Sequence, residues 1–489
     1  MLLVDALKQL EAKHQKISLS TTTTEADWLR LEAEMQQLLN EFPDNVKLNF
    51  SLGTLSMQMG KAGVALALLE KSERLGAPGA APWLNMAGAY KSEHKDEEAA
   101  NCYRKALEKA ELLPELDGRG INLAKSQALH GMASLYVNAG QPHQCMFWAD
   151  KALEVDPDDR FALWNKGLAL LEAGDWEQGF KIYDEAGFKP SQFKPIERKL
   201  KTYGGLPRWN GEKGKTIITY GEQGVGDEIM LLSMLPDLMR DCKVIVDCDP
   251  RLENLIRNSF PGLEAVYPTS EINAPYPWVA NHKIDGYVPM GSLGKYYRHK
   301  AEDFPKVPYL KADSALVAKW RDILAGYPGY RVGISWAGGL KKTRADMRTI
   351  ALTELAPILK TSGCQFFSLQ YHPQAADDCA AAGTVTGVPI HHWHDVAGSA
   401  MFDDRAGFIE NLDLIITVNT TLHHQAGAQG IEQWCMCPKY IAWRYGIKGP
   451  SSWYGNCVML RQEKPSEWEP VIGKAATMLA ARVARRVAA

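Results

Sequence analysis

The period of the hydrophobic pattern changes along this chain, and the change divides it. Up to about residue 190, apolar residues recur at three- and four-residue spacing, as in VDALKQLEAKHQ and ADWLRLEAEMQQLLNEFP, which predicts amphipathic helices. Inside that region a small residue returns at one place in the pattern: Gly53, Ala87, Ala133 and Gly167, at intervals of 34, 46 and 34 residues by subtraction. An interval of 34 is that of a two-helix repeat. The second segment carries Trp83, Met86, Tyr90, Ala99, Tyr103 and Ala106 at offsets where one helix packs against its partner. Leu129, Met132, Tyr136, Gly140, Ala149, Ala152 and Pro157 repeat it in the third, and Leu163, Lys166, Leu170, Gly174, Tyr183 and Ala186 in the fourth. The longer interval exceeds the others by 46 − 34 = 12 residues, around ELLPELDGRGIN, and lengthens either a helix or a loop.

Between Gly187 and Trp209 several Pro and Gly residues break the helical period. Short apolar runs then alternate with helical patterns. Lys215 to Tyr220 and Lys243 to Asp247 read as strands, with GEQGVGDEIMLLSMLPDLMRD and PRLENLIRNSFPG as the helical stretches after them. The alternation restarts beyond a linker of Pro and charged residues near 301 to 311. There Arg331 to Ala337, Gln365 to Leu369 and Leu412 to Val418 are strands, ALTELAPILKTSG a helix and Asp377 to Ala382 part of a shorter one. Such alternation predicts parallel, doubly wound sheets whose ligands bind beyond the carboxyl ends of the strands. The expected division is a helical repeat domain over 1–190, a linker over 191–209, an α/β half over 210–325 and a second over 326–489 with a terminal helix.

Composition narrows this picture in three ways. The 489 residues suggest about three units, and 46% hydrophobic residues give each a core. A net charge of −3 neither supports nor excludes nucleic acid as a partner. Nine cysteines without a paired CxxC pattern fit a reducing compartment; charges interrupt the opening MLLVDALKQLEAKHQK and no later apolar run reaches 18 residues, so a soluble cytoplasmic protein with no membrane span is expected.

Candidate chemistry gathers at two turns. In LDLIITVNTTLHHQAGAQG a buried strand meets an N-cap cluster, Asn419, Thr420 and Thr421, and a helix from Leu422 to Ala428, an arrangement that favours an anion but that any strand-to-helix crossover shares. In GEQGVGDE the glycines Gly221, Gly224 and Gly226 miss the dinucleotide spacing, and Gly214-Lys215-Thr216 precedes its strand and lacks the upstream glycine of a phosphate loop. That turn lets a ligand approach the backbone at Gly224 and Gly226 and starts a helix at Asp227, which is either a first-turn carboxylate or a general base. Lys341, Lys342, Arg344 and Arg348 make WAGGLKKTRADMRTI either a solvated loop or one that faces a diphosphate. His391, His392 and His394 lack a metal-ligand spacing and read as loop residues that could contact an acceptor; Cys435 and Cys437 read as buried core.

The repeat segments resemble the tetratricopeptide pattern. From Pro207 to about Val471 the order PRWNG, GEQGVGDE, RVGISWAG, FFSLQ, FIENLDLIITVNTTLHHQAGA, AWRYG, SSWYGNCVMLRQ and SEWEPV resembles the catalytic half of bacterial tetratricopeptide-repeat glycosyltransferases. That half is similar to heptosyltransferase-like and O-GlcNAc-transferase-like enzymes. The resemblance implies an all-α superhelix followed by a GT-B fold of two Rossmann-like halves. It also implies inverting transfer of a sugar from a nucleotide-sugar donor to an acceptor hydroxyl, with no cofactor and no metal. By the same resemblance Asp227 is the base, Thr420, Thr421 and His424 contact the donor, and Lys341, Lys342 or Arg344 lies near the diphosphate. One position departs from the family: Asn419 stands where the family has Asp, which removes a carboxylate from the donor site. The repeats either present a protein or peptide acceptor in their groove or serve as a prop for the next domain. A non-catalytic scaffold with a degenerate GT-B domain is the alternative, and a nucleotide-sugar hydrolase or epimerase a third reading.

Overall fold

The computed structural model describes residues 3–19, 24–111, 118–188, 198, 200–269, 276–339, 345–398 and 402–488. Two compact units, Met1–Ala169 and Leu170–Ala489, divide the chain.

The first unit is built of α1 (Leu3–Leu19), α2 (Glu25–Glu41), α3 (Val46–Gln58), α4 (Ala62–Arg74), α5 (Ala81–Ser92), α6 (Asp96–Glu111), α7 (Gly118–Asn138), α8 (Pro142–Val155) and the first part of α9 (Arg160–Ala173). The recurring small residues fall on alternate helices, α3, α5, α7 and α9. They stand where the helices pack closely. A Cβ on Gly53 would stand 2.9 Å from Leu69 Cγ of α4, and Ala87 and Ala133 are fully buried. The long interval lengthens a helix: α7 has 21 residues where α5 has 12.

The second unit opens with the end of α9 and α10 (Trp176–Phe188) and holds two sheets, both wholly parallel. The four-stranded sheet has the order β3-β2-β1-β4 and contains β1 (Thr216–Tyr220), β2 (Lys243–Asp247), β3 (Ala265–Tyr267) and β4 (Gly286–Pro289). With it go α11 (Val225–Leu231), α12 (Leu235–Asp241), α13 (Glu253–Ser259) and α14 (Gly294–Tyr297). After α15 (Ser314–Leu324) comes a six-stranded sheet of order β10-β9-β8-β5-β6-β7. Its strands are β5 (Tyr330–Ser335), β6 (Cys364–Ser368), β7 (Ile390–His392), β8 (Leu414–Val418), β9 (Gln433–Cys437) and β10 (Cys457–Arg461). Around them lie α16 (Ala356–Leu359), α17 (Ala375–Thr386), α18 (His394–Ala397), α19 (Phe402–Ile409), α20 (Thr421–Gln429) and α21 (Glu469–Ala488). Strands β1, β2 and β8 read as apolar runs because both faces are covered.

Proline shapes the departures from expectation. The helix foreseen after β1 is broken into α11, a 3-10 turn over Leu232–Met234, and α12 with Pro236 in its first turn. Likewise ALTELAPILKTSG folds as a 3-10 turn, Leu352–Leu355, and the single turn of α16, where Pro357 lacks an N–H to continue the ladder. His391 and His392 lie in strand β7 instead of a loop, and Cys435 and Cys437 are buried in β9.

Two packing features brace the second unit. Helix α10 lies against α14, where a Cβ on Gly294 would collide with the Phe180 ring. The segment joining the two halves is tied to both: Tyr309 and Leu310 donate their N–H groups to Ala428 O at 2.8 and 3.0 Å, and Tyr309 Oη donates to Ile229 O at 2.8 Å.

Candidate functional site

Strand β1 ends at Tyr220, and the chain turns through Gly221 to Gly224 into α11. A side chain at Gly221 would collide with the Glu228 carboxyl, which is 4% exposed and accepts the Asp249 N–H at 3.1 Å. Burial pushes the Glu228 carboxyl up to about 8. Glu222, fully buried, pairs with Arg198 at 3.1 Å and accepts the Gly291 N–H at 3.2 Å. Gly224 caps α11, so Asp227 stands in the first turn of that helix.

Strand β8 ends at Val418 and delivers Asn419, with Thr420 at the N-cap and Thr421 as the first residue of α20. Asn419 is 1% exposed. Its Nδ2 donates to Cys435 Sγ at 3.3 Å and Cys437 Sγ at 3.6 Å, its main-chain oxygen accepts from Arg348 Nη1 at 2.8 Å, and its Oδ1 is buried without a hydrogen-bond partner. Thr420 Oγ1 lies 3.4 Å from Thr417 Oγ1. His424 has one ring nitrogen 3.0 Å from Tyr454 Oη and the other 3.1 Å from Tyr445 Oη. Burial holds its pKa well below the usual histidine range, which favours the neutral imidazole. Its neighbour His423 meets Gln433 Oε1 at 2.9 Å, and burial brings its pKa down to about 4.

These two turns meet. Helices α11 and α20 pack together at Gly226, where a Cβ would stand 3.2 Å from His424 Cδ2 and 3.3 Å from Thr421 Oγ1. Beside that crossing, Asp227 Oδ1 lies 2.6 Å from Arg444 Nε, with about a fifth of each side chain exposed. Arg444 comes from the 3-10 turn Trp443–Tyr445 after β9. Arg461 of β10 holds that turn by donating to Gly446 O and Tyr445 O, each at 2.7 Å. Two guanidiniums thus stand near the start of α20, Arg348 on the Asn419 carbonyl before its N-cap and Arg444 on Asp227 beside the Gly226 crossing, and both add to the burial that depresses the His424 pKa.

Of the residues expected from the sequence, Asp227, Gly226, Thr421 and His424 are brought together, with Gly224, Thr420 and Asn419 in the adjoining turns. Lys341, Lys342 and Arg344 lie outside the described residues. The sequence reading passed over Arg444, Tyr445 and Tyr454 as individuals. Their signal was the pair of stretches AWRYG and SSWYG, conspicuous as aromatic motifs but silent about where they fold back to. Among the described residues no group of three His, Cys, Asp or Glu side chains is placed to hold a metal ion, and no helix is long and apolar enough to cross a membrane.

Residues 126–159 match the tetratricopeptide repeat family. The fold is a helical array that includes this repeat, followed by two α/β halves, each built on a wholly parallel sheet. The chain is 25% identical over 486 residues to protein FlbA of Caulobacter vibrioides, spanning 89% of this chain and 79% of FlbA. Among solved structures, the glycosyl transferase family 9 protein of Veillonella parvula aligns with a TM-score of 0.43 at 10% identity, covering 56% of this chain and 99% of that one. A mutant O-GlcNAc transferase of Thermobaculum terrenum aligns with a TM-score of 0.32 at 13% identity, over 99% of this chain and 93% of its own.

Proposed function

We propose that this chain transfers a sugar from a nucleotide-sugar donor to an acceptor hydroxyl, with inversion and without a metal ion. The observation that carries the reading is the meeting at Gly226, which sets the carboxylate of Asp227 from one half against the N-terminus of α20 from the other. The donor diphosphate lies at that helix N-terminus, among the hydroxyls of Thr420 and Thr421 and the guanidiniums of Arg348 and Arg444. Both nitrogens of His424 are engaged by tyrosines, so it meets the donor through its ring edge. Asn419 meets the donor through its unpartnered Oδ1, an acceptor without the charge of a carboxylate.

In the reaction the acceptor oxygen attacks the anomeric carbon, the bond to the phosphate oxygen breaks, and the acceptor proton passes to Asp227. Negative charge then grows on a leaving group already surrounded by donors and cations. One base and one leaving-group site serve a single displacement, which inverts the anomeric carbon. The repeats bring a protein or peptide acceptor along their concave face. The cytoplasm is the compartment, where nine free thiols persist.

A thermal-shift panel of UDP-, GDP-, ADP-, CMP- and dTDP-sugars, read beside released nucleotide, tests the donor site, because a ligand that binds only the folded chain raises its midpoint. One nucleotide sugar shifts the wild type, and Asp227→Asn keeps that shift while losing about 100-fold or more in turnover. A variant within a few-fold of wild type overturns Asp227 as base. The second reading is a non-catalytic scaffold; the Asp227–Arg444 ion pair and the amide at Asn419 favour it. Silence across the whole panel selects that reading.

A further inference from the structure

Asp227 and Arg444 end a chain of polar contacts that begins on α10. Tyr183 of that helix is 1% exposed. Its ring lies 6.2 Å from that of Trp443, and the Arg198 guanidinium sits 4.6 Å from its centre. A side chain on Gly291 would collide with the Glu222 carboxyl and come within 3.1 Å of the Tyr183 ring, so the tyrosine is wedged in place. Burial raises the Tyr183 pKa well above its ordinary value, which keeps the hydroxyl neutral. Gln223 Nε2 donates to Tyr183 Oη at 2.7 Å, and Gln223 Oε1 accepts from Arg444 Nη2 at 3.5 Å. Arg444 then reaches Asp227 at 2.6 Å.

The chemistry of these groups fixes a direction along the chain. A guanidinium can only donate, so the Gln223 amide must turn its oxygen toward Arg444 and its NH2 group away. The Tyr183 hydroxyl accepts that NH2 group, and the amide is held in the one orientation that serves the arginine.

We propose that Tyr183 is a positioning residue for sugar transfer: by anchoring the Gln223 amide it aims Arg444, and through Arg444 it holds the Asp227 carboxylate for the acceptor hydroxyl. This rests on the sugar-transfer reading above. Arg444 occupies Asp227 Oδ1, which leaves Oδ2 as the oxygen that takes the proton. Once it does, the carboxylate no longer balances the guanidinium, whose charge is then directed to the leaving diphosphate. A helix laid down with the repeats thereby supplies part of the catalytic centre.

The test uses the full chain as wild type, Tyr183→Phe, Gln223→Glu and the double variant. Each is titrated with UDP-N-acetylglucosamine, GDP-mannose, ADP-glucose, CMP-sialic acid and dTDP-glucose, and released nucleotide is measured with a protein extract supplying acceptor. Tyr183→Phe keeps its melting temperature and its donor dissociation constant within about twofold of wild type, while kcat falls about tenfold, the scale of a misaimed catalytic group. Gln223→Glu in the same chain restores most of that loss, because a carboxylate holds Arg444 by charge and needs no anchor at Tyr183. A loss of packing alone would not be restored by a change at Gln223. Wild-type kcat in Tyr183→Phe, or a loss that Gln223→Glu leaves uncorrected, overturns the positioning role while sugar transfer by the wild type stands. A wild type that neither binds nor turns over any of the five overturns both.

Discussion

Gly221 and Glu228 make one unit. The missing side chain at Gly221 leaves room for a buried carboxyl that supports the turn before α11 from beneath, by accepting the Asp249 N–H. That carboxyl carries a pH signature. Burial raises its folded-state pKa to about 8 from an ordinary 4.5, so between those values the folded chain holds a proton that the unfolded chain has lost. The contribution of this group to stability is full below about 4.5, declines as pH rises, and is lost above about 8. Glu228→Gln keeps an acceptor for Asp249 and has no proton to lose. Its melting temperature gains on that of wild type as the pH is raised from 5 to 9, and differential scanning fluorimetry across that range reads the widening gap. At this scale the sequence was informative wherever chemistry is local. Asp227, Thr420 and Thr421 sit at strand-to-helix turns whose glycines and N-cap residues are written side by side. Arg444 was not legible, because its partner Asp227 lies 444 − 227 = 217 positions away and only the folded halves bring them together.

Among the elements, α10 has the strongest claim on the second unit. Trp176 packs 4.7 Å from Phe304, and Phe180 lies 5.9 Å from Trp443, so one helix covers apolar surface contributed by both α/β halves. The repeat period carries straight through Tyr183 and Ala186, and from the sequence this helix reads as one more member of the array. A fragment over 170–489 therefore melts higher and aggregates less than one over 191–489, which lacks Trp176, Phe180 and Tyr183; expression of the two and their thermal unfolding curves check this. Strands β1, β2 and β8 were legible as runs of Ile, Val and Thr. Strands β9 and β10 were not: QWCMC and CVMLR have few β-branched residues, and their burial is set by neighbours remote in sequence. Strands β3 and β7, three residues each, are too short to impose a period.

For the whole molecule, the two compact units predict two calorimetric transitions. A bound nucleotide sugar raises only the one belonging to 170–489, and its size grows with the logarithm of ligand concentration. A uniform shift of both transitions would place the ligand elsewhere. The tie at Tyr309 has a mechanical consequence for the same unit. Its main chain is fastened to the end of α20 and its hydroxyl to the middle of α11, the two helices that meet at Gly226. A rocking motion between the halves about this tie thus turns beside the crossing at Gly226, at the short end of the lever. Groups close to that point, Asp227 and Thr421 among them, keep their spacing under small rocking motions.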